Sequence, residues 1–270
     1  MTVLSVLLTF LTAALIVSTS LKIRQWVKAM RKDLDAIRAE LKDIRIAHSD
    51  VGREIREYVT QAAEESVNAS CLQALRFDFP VFLGGPSIDA QHARLLLFIL
   101  QERKPRTILE LGSGSSTVII AHAMKRLEAP MPVHIAVDHE ERFLENTREL
   151  ARVNGVVDRV RFEHCPLGPL DGFALPWYSG VPEVVRGEQL DLVIIDGPPA
   201  YAVGEGRARE PALTVLRPFL SKGAVVILDD ANRPGEKESL EEWKLRFPEF
   251  TVQVFAGGKG VAVLTLRNPI

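Results

Sequence analysis

Five carboxylates in this sequence stand at the ends of short apolar runs. Glu110 lies in T-I-L-E-L, Asp138 follows H-I-A-V, Asp196 follows L-V-I-I, and Asp229 and Asp230 follow V-V-I-L. Acidic side chains are costly to bury unpaired, so several of them at the tips of buried strands point to a site rather than to packing. Asp196, Asp229 and Asp230 form the chemical end of the set. On neighbouring strands, about 5 Å apart, they can face one small volume. There they could hold a divalent ion through oxygen ligands, act as a general base on a hydroxyl group, or orient a cationic group. The plainer alternative has Asp230 cap the following loop and leaves Asp196 alone as functional. Pro198, Pro199 and Tyr201, then Arg207 and Arg209, form a stiff and then basic segment beside this set, spaced to meet an anionic or sugar-like substrate unless it is merely solvated surface.

The carboxylates need something to serve, and the stretch Thr107–Thr117, T-I-L-E-L-G-S-G-S-S-T, supplies it. A buried strand runs directly into Gly112 and Gly114, separated by one small residue, and a helical run opens after them. Strand, glycine turn and helix together cradle a nucleotide or nucleoside, because the backbone can turn tightly and approach a ligand closely. The third glycine of the dinucleotide fingerprint would fall near Thr117 and is absent, which disfavours NAD and FAD. Asp138, about twenty-five residues further on, can accept the hydroxyls of a ribose; capping the helix that follows is its alternative role. Glu110 is expected under the glycine turn, where it could take backbone N–H groups or a cation. His164 and Cys165 are expected to flank a flat base from the next strand. No His/Cys/Asp set has zinc-ligand spacing.

The elements that position these residues alternate. Strands are expected at Thr107–Leu111, Val133–Val137, Arg159–Glu163, Leu190–Ile195, Ala224–Leu228, Thr251–Ala256 and Val261–Leu266. Helical patterns cover Asp89–Gln101, Thr117–Leu127, Glu141–Asn154, Arg209–Leu220 and Lys237–Phe247. Such alternation predicts a parallel sheet covered on both faces. The last two strands, joined by Gly257-Gly258-Lys259-Gly260, should close the sheet as a hairpin.

The front of the chain has a different composition. Thr2–Leu21 carries no charged side chain, and its length suits a membrane-spanning helix of roughly twenty residues. Lys22, Arg24, Lys28, Arg31 and Lys32 follow it, which predicts a single-pass protein whose bulk lies on the cytoplasmic side. Next, Ile23, Met30, Ile37, Ile44, Val51 and Tyr58 recur every seven residues, with Val27, Leu34, Leu41, His48, Ile55 and Ala62 between them. That repeat predicts a coiled coil, and the β-branched first seam favours a parallel homodimer over an amphipathic helix folded back on the domain. The organisation expected is therefore an anchor over 1–21, a stalk over 22–72 and a catalytic domain over 73–270. A net charge of -2 and the lack of a basic stripe argue against a nucleic-acid partner. Two unpaired cysteines, Cys71 and Cys165, fit a reducing compartment.

Taken together, L-E-L-G-S-G-S-S-T, V-D-H-E, L-D-L-V-I-I-D-G-P-P and V-V-I-L-D-D resemble the class I S-adenosylmethionine-dependent methyltransferases, in an O-methyltransferase-like bacterial branch, over about Phe77–Leu266. The resemblance implies a Rossmann-like sheet of seven strands ending in a hairpin, and S-adenosyl-L-methionine as cofactor. It implies that Glu110, Gly112, Ser113, Gly114 and Ser116 wrap the methionine part, that Asp138 takes the ribose with His139 beside the adenine, and that His164 and Cys165 lie on the adenine side. Asp196 falls near the methionine amino group. Asp229 and Asp230 match an Asp-Asn pair that completes a metal site in catechol-type members, so a divalent cation such as magnesium stays open. Here the second member is aspartate, Asn232 is displaced, and no lysine follows Asp196, which disfavours a catechol substrate. Asp196 or Asp229 is the expected proton acceptor. A membrane location favours a lipid-linked or glycan hydroxyl as acceptor. The competing readings are a non-catalytic membrane-tethered scaffold and a nicotinamide oxidoreductase.

Overall fold

A strand buried on both faces reads as a largely apolar run, and four parallel strands of this kind line up side by side in this protein, with a fifth, R-F-E-H, at the edge. The computed structural model describes residues 24–28, 30–43, 55, 59–60, 62–85, 87–127, 132–199 and 206–267. In chain order the elements are α1 (Ala90–Arg103), β1 (Thr107–Leu111), α2 (Ser115–Arg126), β2 (Val133–Asp138), α3 (Glu141–Val153), β3 (Arg161–His164), β4 (Leu167–Gly168), β5 (Trp177–Tyr178), α4 (Val181–Val184), β6 (Leu190–Ile195), α5 (Pro211–Leu216), β7 (Leu220–Asp229), α6 (Pro234–Arg246), β8 (Phe250–Phe255) and β9 (Val261–Leu266).

The seven-stranded sheet has the order β3-β2-β1-β6-β7-β9-β8. β3, β2, β1, β6 and β7 pair in parallel, and β9 runs antiparallel between β7 and β8. This is the Rossmann-like sheet with a terminal hairpin that the alternating pattern predicts. β1 and β6 are neighbours from which the chain winds in opposite directions, so a crevice opens above their carboxyl ends. Alternate residues of each strand feed two cores. Leu109, Leu111, Val193, Ile195, Val226 and Leu228 pack with Ala212, Leu213 and Leu216 of α5 and with Leu240 and Trp243 of α6. Ile108, Leu192, Ile194, Val225 and Ile227 pack with Ala93, Leu96 and Leu100 of α1 and with Ile119, Ile120 and Met124 of α2.

Several boundaries depart from expectation by a few residues, and two have a clear cause. The helix expected from Arg209 starts at Pro211, whose fixed φ and missing N–H suit a first helical position, and Arg209 sits in the turn before it. That helix ends at Leu216 in a 3-10 turn containing Pro218, so β7 begins at Leu220 rather than Ala224. The ribbon of β4 and β5 lies in a stretch that shows no periodicity, because two-residue strands are too short to carry one.

Residues 24–28 and 30–43 are helical, as is 62–70. Val27, Met30, Leu34, Ile37 and Leu41, all positions of the expected coiled-coil seams, are exposed in the single chain. Among the described residues, no helix is long and apolar enough to cross a membrane; the expected span over 2–21 lies outside them. The chain divides into two units, 1–63 and 64–270.

Candidate active site

The glycine turn is built by a close approach of two strand ends. Gly112 has φ +96°, and a Cβ there would lie 3.2 Å from the Asp196 carbonyl carbon, so only glycine brings the tip of β1 against the tip of β6 without strain. Gly114 meets nothing within 4 Å and opens onto a cavity of ≈ 660 Å³. The cavity is lined by Gly112, Ser113, Gly114, Ser115 and Ser116 on one side and by Asp138, His139, Phe143 and Tyr178 on another. Asp196, Gly197, Arg209, Asp230 and Arg233 complete the far end. The amino end of α2 begins at this wall, which directs backbone N–H groups and the positive helix end into the space.

Asp138 closes the β2 side. Ser113 donates to its Oδ2 from both the backbone N–H, at 3.0 Å, and the hydroxyl, at 2.9 Å. The Glu140 N–H donates to Oδ1 at 3.1 Å. Burial works against its ionised form, but the neighbouring His139 and these donors outweigh it and hold the carboxyl below its usual range. His139 Nδ1 also stands 3.3 Å from Oδ1, so a ligand hydroxyl would share that oxygen with it. The helix α3 begins at Glu141, and its N-cap residue Glu140 makes no side-chain cap of its own; Asp138 accepts the Glu140 N–H just ahead of it.

At the other end the donor atoms of Asp196, Asp229 and Asp230 lie within 4.8 Å of one another. They are not free. Arg209, buried, donates to Asp196 Oδ1 at 3.1 Å and to Asp230 Oδ2 at 3.0 Å. His92 of α1, also buried, places Nδ1 3.0 Å from Asp229 Oδ1. Arg233 stands 3.1 Å from Asp230 Oδ2. Asp230 adopts φ +57°, a left-handed conformation that aspartate tolerates, and this turns its carboxylate back toward both arginines. Desolvation, then the charge of Asp229, raises the Asp196 pKa. Asp229 moves the other way: burial would raise it, but the hydrogen bond and charge of His92 lower it. His92 is correspondingly raised, its partner outweighing the burial that disfavours its charge.

Several expected site residues are placed elsewhere. Glu110 is wholly buried inside the sheet, its Oε2 2.7 Å from His134 Nε2, and does not line the cavity. Its side chain faces into the α1 and α2 layer rather than up at the turn, because Ile108, two residues earlier on the same face, packs in that layer. His164 Nε2 lies 3.1 Å from the His139 carbonyl oxygen. Cys165 packs in the core with Trp177 and Tyr178, where burial pushes its thiol up to about 11. Neither lines the cavity, although β3 reaches the same level as β2, with His164 in register beside Asp138. Asp229 contributes its carboxylate to the cluster but not to the cavity wall. Arg209 is not a lid residue offered to substrate but an internal partner, and Arg207 pairs with Glu210 at 2.8 Å.

Sequence reading missed His92 and Tyr178. His92 precedes Ala93 on the apolar face of α1, and a histidine in that face was the available signal. Tyr178 is buried, lines the cavity and leaves its hydroxyl without a partner in the protein. Its Oη lies where a Cβ at Gly197 would be, 2.0 Å from that position, so Gly197 is fixed as glycine by the tyrosine beneath it.

Strand order, glycine turn and rim carboxylates together define a class I methyltransferase fold. Residues 109–231 match a family model described as methyltransferase domain. No curated protein matches the chain significantly. Among solved structures it is similar to a putative O-methyltransferase from Klebsiella pneumoniae at 17% identity, covering 77% of this chain and 99% of that one with a TM-score of 0.54. The O-methyltransferase TomG from Streptomyces achromogenes, involved in tomaymycin synthesis and solved with S-adenosylmethionine, is similar at 18% identity, covering 75% and 89% with a TM-score of 0.53. An O-methyltransferase from Bacillus cereus, solved with S-adenosylhomocysteine, is similar at 17% identity, covering 77% and 91% with a TM-score of 0.52.

Proposed function

We propose that this chain is an S-adenosylmethionine-dependent O-methyltransferase, tethered to a membrane by its first residues and acting on a hydroxyl group of a glycan, lipid-linked or other polar acceptor. The observation that carries the reading is the single cavity running from the Gly112–Ser116 turn past Asp138 to Asp196 and Asp230. Its chemistry fits the cofactor. The α2 amino end suits a carboxylate, Asp138 suits a ribose hydroxyl, and Asp196 suits a cationic group. The similar structures that hold this cofactor or its demethylated product support the same reading. Bound there, the cofactor supplies a methyl group on a sulfonium, already electrophilic.

The protein's own part is then alignment and proton removal. Asp138 and the glycine turn fix the nucleoside end. Asp196 is the carboxylate we assign to take the acceptor's proton, because it lines the cavity and is met by one arginine, whereas Asp230 is met by two. Asp229, held by His92 behind the wall, supports the cluster without touching the acceptor. Asp196→Ala should abolish transfer, measured as release of the demethylated cofactor with candidate hydroxyl acceptors; full activity in that variant would remove Asp196 from the mechanism. Calorimetry with S-adenosylhomocysteine tests the reading as a whole, since no uptake by the wild-type chain would end it. The run of basic residues after position 21 supports a cytoplasmic position for the domain, which a protease-protection assay on membrane fractions checks. The exposed seam over residues 27–41 supports a parallel homodimer.

A further inference from the structure

Three carboxylates whose donor atoms lie within 4.8 Å of one another have the spacing that suits one small cation. Arg209 already stands among them. Its Nη2 donates to the Asp196 carbonyl oxygen at 2.8 Å, to Asp196 Oδ1 at 3.1 Å and to Asp230 Oδ2 at 3.0 Å. Nη1 donates to the Asp229 carbonyl oxygen at 2.9 Å. The guanidinium thus touches all three residues of the cluster, from a side chain only 3% exposed. Its position is set from two sides: Pro211 starts α5 just after it, and Glu236 of α6 faces its Nε at 3.7 Å.

Cationic groups already meet these carboxylates. Asp196, Asp229 and Asp230 bring three negative groups when ionised, and Glu236 stands on the far side of Arg209. Arg209 is permanently charged, Arg233 lies beside Asp230, and His92 lies beside Asp229. A divalent ion would need carboxylate oxygens at about 2.0–2.6 Å from its centre. To gain them it would have to strip one N–H group from both Asp196 and Asp230, and it would then sit against a buried guanidinium with nowhere to move. The residues present do not fit a metal.

We propose that Arg209 takes the place of a divalent cation at this rim, serving as a positioning residue that holds Asp196 and Asp230 toward the cavity, and that the domain needs no metal. This rests on the reading of the cavity as a methyltransferase site, but its test does not. Mn2+ titrated into the full-length chain and followed by electron paramagnetic resonance should keep the spectrum of the free ion. The affinity for S-adenosylhomocysteine should agree within about twofold in EDTA and in excess Mg2+, a difference well under the 1.4 kcal/mol of a tenfold change. Arg209→Gln removes the charge at similar size and should create Mn2+ uptake that Asp230→Asn in the same chain abolishes. Stoichiometric Mn2+ binding by the wild type, or about a tenfold loss of cofactor-product affinity in EDTA, would overturn the inference. So would a folded Arg209→Gln chain that takes up no Mn2+. Should that variant fail to fold, the two wild-type measurements decide. If S-adenosylhomocysteine binds under neither condition, the methyltransferase reading fails, and the Mn2+ spectrum still judges the role of Arg209.

Discussion

Asp196 and Asp229 are the same residue type, on adjacent strand ends, with opposite shifts. The difference is their partners. Asp229 is pinned to His92, whereas Asp196 faces the cavity with desolvation and the Asp229 charge acting against its ionised form. A cationic ligand group beside Asp196 would favour its carboxylate. Binding of S-adenosylhomocysteine near neutral pH should therefore release a proton, seen as a binding enthalpy that differs between phosphate and Tris buffers. Asp196→Asn should lose that difference. The His92–Asp229 pair sets a second expectation. His92 is raised, so its contribution is present below its unfolded pKa and lost as pH rises through the folded one. Asp229 is lowered, so its contribution is present above its unfolded pKa and lost as pH falls through the folded one. The pair stabilises the fold in the window between. His92→Asn strands a buried carboxylate and should cost about 3–5 kcal/mol in urea denaturation at neutral pH, with the deficit shrinking outside that window.

At the scale of elements, the two glycines of the turn do different work. Gly112→Ala forces a left-handed backbone and a contact with Asp196, so it should lose about 1–3 kcal/mol of stability. Gly114→Ala has room for its methyl group, which would enter the cavity. Its melting temperature should stay unchanged while cofactor-product affinity falls; equal losses in both variants would contradict the division. Strands and turn were legible because a buried parallel strand is a run of Val, Ile and Leu with a polar residue at its tip, and β1, β6 and β9 fall where the pattern puts them. Facing direction was not legible. Glu110 points into a helix layer and Cys165 into the core, and which face a strand-end side chain takes depends on neighbours far away in sequence. Arg209 escaped for the same reason: a charged residue after a Pro-rich stretch reads as surface until α5 and α6 close around it.

For the whole molecule, the periodicity of the front segment is the part the domain does not absorb. In one chain, 50% of Met30 and 60% of Leu41 is exposed, too much apolar surface at regular spacing for an isolated helix. If the seam joins two chains as proposed, Leu34→Glu with Leu41→Glu should leave a monomer in light scattering while the thermal transition of the 64–270 unit stays in place. A wild-type chain that is monomeric would remove the stalk's assembly role.

The terminal hairpin reaches further than the edge of a sheet. Asp89, the residue that opens α1, accepts the Lys259 N–H at 3.2 Å, and Lys259 Nζ reaches the Ser87 carbonyl oxygen at 2.7 Å. The Ala231 N–H is held by Gly260, one residue past the acidic cluster. Because β9 lies between β7 and β8, the strand that leaves the ribosome after all others described here is the one that joins β8 to the rest of the sheet. Until it does, neither His92 nor Asp230 has its final support, and a nascent or truncated chain carries every site residue yet has no formed rim to arm it.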